Sequence, residues 1–118
     1  MSYIKKLLEE VKNIDDNKFC ADCKTEETLY ASINNGVFLC FQCADFHSSM
    51  GKQTSYIRNL SDPFDEYLIL YLIRGGNFRY KNFLFDSGIK NDDIDRYSQQ
   101  NYFTKGMDYY RRNVKKKF

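Results

Sequence analysis

The sequence predicts a single α+β domain: a small hairpin or three-stranded sheet, pinned by a metal ion and surrounded by several helices. Three observations predict it. Cysteines occur only as two pairs, Cys20-Ala21-Asp22-Cys23 and Cys40-Phe41-Gln42-Cys43. A strand–turn–strand pattern lies between the pairs, and the rest of the chain repeats apolar residues at helical spacing. With 118 residues, 42% hydrophobic and 17% aromatic, the chain has the apolar surface for one ordinary core. It has no run of about 18 apolar residues to span a membrane.

The elements follow in order. Ile4, Leu7, Leu8 and Val11 fall at i, i+3, i+4 and i+7, a short amphipathic helix whose stripe packs on the domain. Residues 13–17 are polar and read as a loop into the first cysteine pair. Thr28 to Ile33 is strand-like, Asn34-Asn35-Gly36 is a tight-turn signal, and Val37 to Leu39 is a second strand entering Cys40. Cys43 to Met50 reads as a short helix that Gly51 ends. Asp62 to Arg74 is the clearest helix, with Asp62 as cap and Pro63 in its first turn. Tyr67, Leu68, Tyr71 and Leu72 run along one side, and Leu70 and Ile73 widen the apolar face toward burial on most sides. Gly75-Gly76 stops it. Residues 82–92 read as a loop after a short helix. Asp92 or Asp93 caps a last helical region with Ile94 and Tyr97 inward, and Tyr102, Phe103, Met107 and Tyr110 continue the apolar spacing.

Sixteen residues separate the cysteine pairs. Each close pair places two thiolates on one side of the chain, and together they supply four corners of a tetrahedron around Zn2+ at about 2.3 Å. Cys20, Cys23, Cys40 and Cys43 are the expected ligands. A closed four-sulfur site has no position for an activated water, so the ion is expected to hold structure. Two disulfides, buried free cysteines and a redox pair are the competing readings. The absence of an apolar leader after Met1 argues for a reducing cytosolic or nuclear compartment, against disulfides. The organisation expected is a zinc module over 18–51, a helical remainder over 52–112 and a basic end over 105–118.

Net charge is +2 overall. From Lys105 to Phe118, six basic residues stand against Asp108, a local +5 that leaves the other residues at −3. Such an end suits phosphate, an anionic membrane surface or an acidic protein face; it also suits a solvated helix C-terminus.

Read from Cys20, the chain runs C-A-D-C, Y-A-S-I-N-N-G-V-F-L-C-F-Q-C, H-S-S-M-G, S-Y-I-R-N-L, D-P-F-D-E-Y and G-G-N-F-R-Y-K-N. This resembles the Arf GTPase-activating protein (ArfGAP) zinc-finger domain, which carries Cys-x2-Cys-x16-Cys-x2-Cys. Asp22, Ala31-Ser32, Asn34, Gly36, Phe38, His47, Gly51, Ser55, Arg58, Leu60, Gly76-Asn77 and Asn82 also match, so the likeness covers roughly Val11 to Arg112. It implies a structural zinc, an Arf-type GTPase partner in its GTP-bound form, and acceleration of that partner's hydrolysis by an arginine supplied in trans. Such a finger is worth about 10³–10⁵ in rate. The implied contact surface includes His47, Ser48, Gly51 and Arg58. The resemblance also implies a role in vesicle trafficking, in the cytoplasm or peripherally at Golgi or vesicle membranes.

The chain departs from the family at one decisive place. The family's arginine directly follows the histidine, and here Ser48 follows His47. Serine cannot place a guanidinium fork against phosphate oxygens. Three readings stand: catalysis is lost and binding kept; another cation, Lys52 or Arg58, takes over; or the residue was changed in the expressed protein. Arg58 also reads as a structural hydrogen-bonding residue, Lys52 as a solvated side chain, and His47 as a packing or orienting residue, since four cysteines already fill the metal site. Tyr30 replaces the family's usual tryptophan, and Asp45 puts a negative charge near the expected contact surface. The expected function is therefore GTPase activation, with a catalytically impaired binding module as the alternative. A self-contained enzyme is disfavoured by a single histidine and the lack of a phosphate-cradling glycine loop. A DNA-reading finger needs a cationic helix after the last pair, and Ala44 to Gly51 has Asp45 and no Lys or Arg, so no nucleic acid is expected. A chain this short also reads as a domain cut from a longer one.

Overall fold

The computed structural model describes residues 2–24, 26–87 and 100–114. Among these are five α-helices and one three-stranded antiparallel sheet: α1 (Ser2–Lys12), β1 (Tyr30–Ser32), β2 (Val37–Leu39), α2 (Phe41–Ser48), β3 (Ile57–Asn59), α3 (Glu66–Arg74), α4 (Asn77–Asp86) and α5 (Lys105–Asn113). Short 3₁₀ turns cover Asp15–Lys18 and Gln100–Phe103. The expected α+β architecture is present.

The sheet order is β2-β1-β3. Tyr30 pairs with Leu39 and Asn59, and Ser32 with Val37 and Ile57. The Asn34-Asn35-Gly36 turn joins β1 to β2 with Gly36 at φ +65°. It also docks on the end of α3: Gly76 N donates to Gly36 O at 2.7 Å, and a Cβ at Gly36 would stand 2.9 Å from the Tyr71 carbonyl. Glycine is thus required by conformation and by space.

Side chains alternate across the strands and feed two cores. On one face, Val37 and Leu39 join the cysteines, Ala44, Tyr80, Leu84, Tyr102, Met107, Tyr110 and Val114. On the other, Ala31 and Phe38 join Leu8, Val11, Ile33, Ile69 and Leu72. The stripe of α1 packs on the domain as its spacing predicts.

The structure corrects several expectations. α3 starts at Glu66 because Asp65, not Asp62, is its cap, accepting from Leu68 N at 2.8 Å. Asp62 lies in a turn after β3, its amide bonded to Asn59 O at 3.0 Å. α3 buries only one stripe, Ile69 and Leu72, and exposes Tyr67 and Ile73; that stripe packs on Ala31 and Phe38 of the sheet and Leu8 and Val11 of α1. Residues 15–18 form a turn rather than open loop, and Asn17 is buried there, donating to Val11 O at 2.8 Å. α4 runs through Asp86 because Tyr80 and Leu84, one turn apart, both enter the metal-side core. Phe103 points to solvent while Tyr102 is buried. α2 begins at Phe41, with Cys40 as its cap, and ends at Ser48, three residues before Gly51. The third strand carried no separate signal, being three residues long and half-buried. Ile94, Tyr97, the Asp92 or Asp93 cap and Lys115 to Lys117 lie outside the described residues.

Candidate metal centre and the rim beside it

Both cysteine pairs sit on tight knuckles. Lys24 N reaches back to Cys20 O at 2.9 Å, with Lys24 itself at φ 67°, and Ala44 N reaches Cys40 O at 2.9 Å. Backbone amides point at the sulfurs: Asp22 N lies 3.4 Å from Cys20 Sγ and Cys43 N lies 3.5 Å from Cys40 Sγ. The four Sγ atoms all lie within 4.8 Å of one another. Cys23 and Cys40 Sγ are 3.8 Å apart, which matches the separation of about 3.8 Å that ~2.3 Å bonds give at tetrahedral corners. It is far too long for a disulfide at about 2.05 Å. A hydrogen bond from Cys43, aided by backbone amides, holds the Cys20 thiol down, to about 5. The bond to that sulfur, and burial, push Cys43 up. A cation between the four sulfurs resolves this conflict by favouring all four thiolates. The cluster is built to hold one metal ion and leaves it no open position.

The last turn of α2 lies against this centre. His47 is fully buried. Its Nε2 donates to Asp22 Oδ2 at 2.8 Å, and its Nδ1 meets Ser55 Oγ at 2.6 Å. Asp22 sits between the first two metal ligands, so the histidine ties α2 to the first knuckle. The Ser–His–Asp set resembles a hydrolytic triad in composition alone: Ser55 and Asp22 are each 3% exposed, and no substrate reaches the serine. His47 thus presents no atom to a docked partner, and any part it takes in the implied contact surface is from beneath.

Ser48, Gly51 and Lys52 are exposed on a rim formed by the end of α2 and the turn after it. Ser48 Oγ bends back to Ala44 O at 3.2 Å. Lys52 Nζ stands over the Tyr56 ring, 4.7 Å from its centroid. Exposed Phe41, with Tyr30 beside it at 6.1 Å between ring centroids, and exposed Asp45 and Phe46 extend this surface along α2.

Arg58 meets the rim only through Tyr56, whose ring lies under Lys52 and whose hydroxyl accepts from Arg58 Nη1 at 3.4 Å. Ile57 faces the metal-side core, while Tyr56 and Leu60 face the other, so alternation puts Arg58 on the sheet face opposite α2. Its guanidinium donates to the Pro63 carbonyl and to Tyr56 Oη and lies over the Phe64 ring. There it fastens the 61–64 segment that leads into α3.

In the sequence Tyr102 is one apolar position in a helical spacing. In the structure its hydroxyl donates to Asp22 Oδ1 at 2.6 Å, and burial, then the Asp22 charge, push its ionisation well above the usual tyrosine range. The distance in sequence hid this pairing. Asn77, which matches the family pattern beside Gly76, accepts from Phe38 N at 2.7 Å and donates to Phe19 O at 2.8 Å. That match carries no hint of the two partners, which lie 39 and 58 positions away.

The profile of ArfGap, described as "Putative GTPase activating protein for Arf", matches residues 5–117. The chain belongs to the ArfGap family. Among curated ArfGap relatives, it is 39% identical over 56 residues to the probable ADP-ribosylation factor GTPase-activating protein AGD15 of Arabidopsis thaliana, covering 48% of this chain and 24% of that one. It is 28% identical over 111 residues to ADP-ribosylation factor GTPase-activating protein 3 of Pongo abelii, covering 92% of this chain and 21% of that protein. The chain therefore spans a quarter or less of these relatives' length. Two solved structures share the fold. One, a "putative GTPase activating protein for ADP ribosylation factor" from Cryptosporidium parvum, gives a TM-score of 0.81 at 22% identity, with 93% of this chain and 90% of that chain covered. The other, the ArfGap domain of human RIP, gives 0.67 at 18% identity, with 93% and 83% covered.

Proposed function

We propose that this ArfGap domain is a GTPase-activating module that docks on an Arf-type small GTPase in its GTP-bound form. The observation that carries the reading is the family match over residues 5–117, which spans the knuckles, α2 and the exposed rim at residues 48–53. The ion in the Cys20, Cys23, Cys40, Cys43 site is zinc on this reading, because four thiolates at tetrahedral separation suit it, and it supplies folding energy rather than chemistry. The basic end over 105–118 meets an anionic membrane surface, consistent with a cytoplasmic protein acting peripherally at Golgi or vesicle membranes in trafficking; the exposure of Lys105 and Arg112 supports this.

Ser48 favours a second reading, in which the domain docks without discharging the GTPase. Its hydroxyl is short, uncharged and turned to Ala44 O. Arg58 is committed on the far face of the sheet, which leaves Lys52 as the nearest cation along the rim segment. Single-turnover GTP hydrolysis by an Arf-type GTPase, at saturating domain, separates the readings. Ser48→Arg is expected to raise the saturating rate by about a hundredfold or more over the unaltered chain. If the unaltered chain already accelerates hydrolysis a hundredfold, docking alone is excluded. If neither form binds the GTP-loaded partner, both readings fail.

A further inference from the structure

In the rim at residues 48–54, Ser48, Ser49, Gly51, Lys52 and Gln53 are exposed; Met50 packs on the metal-side core, and Asn34 Nδ2 donates to Gln53 O at 3.0 Å. Its two stems are fixed separately, and both end in the same buried chain of side chains. His47 precedes the rim directly and Ser55 follows it directly. They meet each other at 2.6 Å. From His47 the chain continues through Asp22 to Tyr102. From Ser55 it continues to Ser32 Oγ at 2.7 Å, which accepts from Asn35 Nδ2 at 2.8 Å. All six residues are at most 3% exposed. One end is therefore set in the metal knuckle and the other in the β1–β2 turn.

The donors and acceptors run consistently along it. Asn35 donates to Ser32, Ser32 to Ser55, Ser55 to His47 Nδ1, and His47 Nε2–H to Asp22, which also accepts from Tyr102. Asn35 Nδ2 donates as well to Thr54 O at 2.9 Å, inside the rim. Apolar packing alone would not fix these angles. Directional bonds in a water-excluded interior do.

We propose that the Asp22–His47–Ser55 chain is a positioning device that holds residues 48–54 in register for the docked GTPase. It thereby sets where a side chain at position 48 reaches. The inference rests on the docking reading above, and its residues are positioning residues, since none touches the partner. A displacement of about 1 Å at a catalytic group lowers rate about a hundredfold in demanding cases, so a loosened stem should act on the saturating rate more than on binding.

The test uses Ser55→Ala, which cuts the chain at one stem, in the metal-loaded protein. Amide hydrogen exchange reads the device without any GTPase. Exchange at residues 48–55 should rise about tenfold while α3 amides stay protected. Unchanged exchange at 48–55 overturns the proposal. Ser55→Ala is then placed in the Ser48→Arg background beside Ile69→Val, a core change remote from the chain. The saturating rate should fall about tenfold with Ser55→Ala, with the half-saturating concentration shifted less than about threefold, while Ile69→Val leaves both in place. A Ser55→Ala rate equal to that of Ser48→Arg alone, or an equal loss in both variants, overturns it. If Ser48→Arg stimulates no hydrolysis yet Ser55→Ala raises exchange at 48–55, the activator reading fails and the positioning of the rim stands.

Discussion

The two faces of the sheet are held in different ways. The α1–α3 face is an apolar contact of Leu8, Val11, Ala31, Ile33, Phe38, Ile69 and Leu72. The metal face mixes sulfur, tyrosine and a buried polar chain: four cysteines, Tyr80 stacked on Tyr102 at 5.6 Å, and Asp22 holding two donors. Burial on the first face is non-directional and fails by degrees. Bonds on the second are directional and fail one partner at a time, because a removed partner leaves a buried polar group unmet. The exposed rim sits on the directional face, where a fixed position is worth more than added area.

The largest test of this contrast removes the ion. Cys40→Ser, or a strong chelator, should unfold the domain at 25 °C, since structural zinc binding contributes roughly 10–16 kcal/mol in zinc-finger peptides, more than most domains' whole stability. Both faces should lose amide protection together, because β1 and β2 serve both. A melting temperature unchanged by Cys40→Ser would break the comparison, and an α1–α3 half that stays protected after chelation would sharpen it.

On the apolar face, Leu72→Ala should cost about 2–5 kcal/mol by urea titration while the metal stays bound. Loss of metal in step with that destabilisation would show that the faces are not distinct. On the metal face, Tyr102→Phe removes one hydroxyl and no bulk. It should cost about 1–3 kcal/mol, because the buried Asp22 carboxylate loses a donor. A neutral Tyr102→Phe would mean that packing, not hydrogen bonding, holds that side. Ser48→Arg should move stability least, since Ser48 is exposed; on the proposed function, its effect falls on the hydrolysis rate of the docked GTPase.

The site was more legible than the elements around it. The cysteine pairs declared their ligand set because spacing alone brings two thiolates together on each knuckle. The turn at Asn34-Asn35-Gly36 and the helix at residues 2–12 were legible for the same reason, since each is written in neighbouring residues. The start of α3 was not, because Asp62 and Asp65 are equally able to cap and only the fold shows which carboxylate meets a helix amide, Asp65 accepting from Leu68 N. Nor was the end of α4, whose polar residues read as loop until Tyr80 and Leu84 are seen entering one core. Arg58 matches the family motif, yet its strand position sends it to the far face of the sheet.

By itself the sequence determined which four cysteines cluster as candidate metal ligands, the hairpin, the broad α+β class and the serine where an arginine is expected. These depend on side-chain chemistry and on distances of a few residues. Only the tertiary structure decided that His47 is buried, that Asp22 answers both His47 and Tyr102, and that Ser55 closes the rim. Those bonds join residues 8, 25 and 80 positions apart. Their partners are chosen by packing, because a buried polar group must find its match wherever the fold brings one within reach.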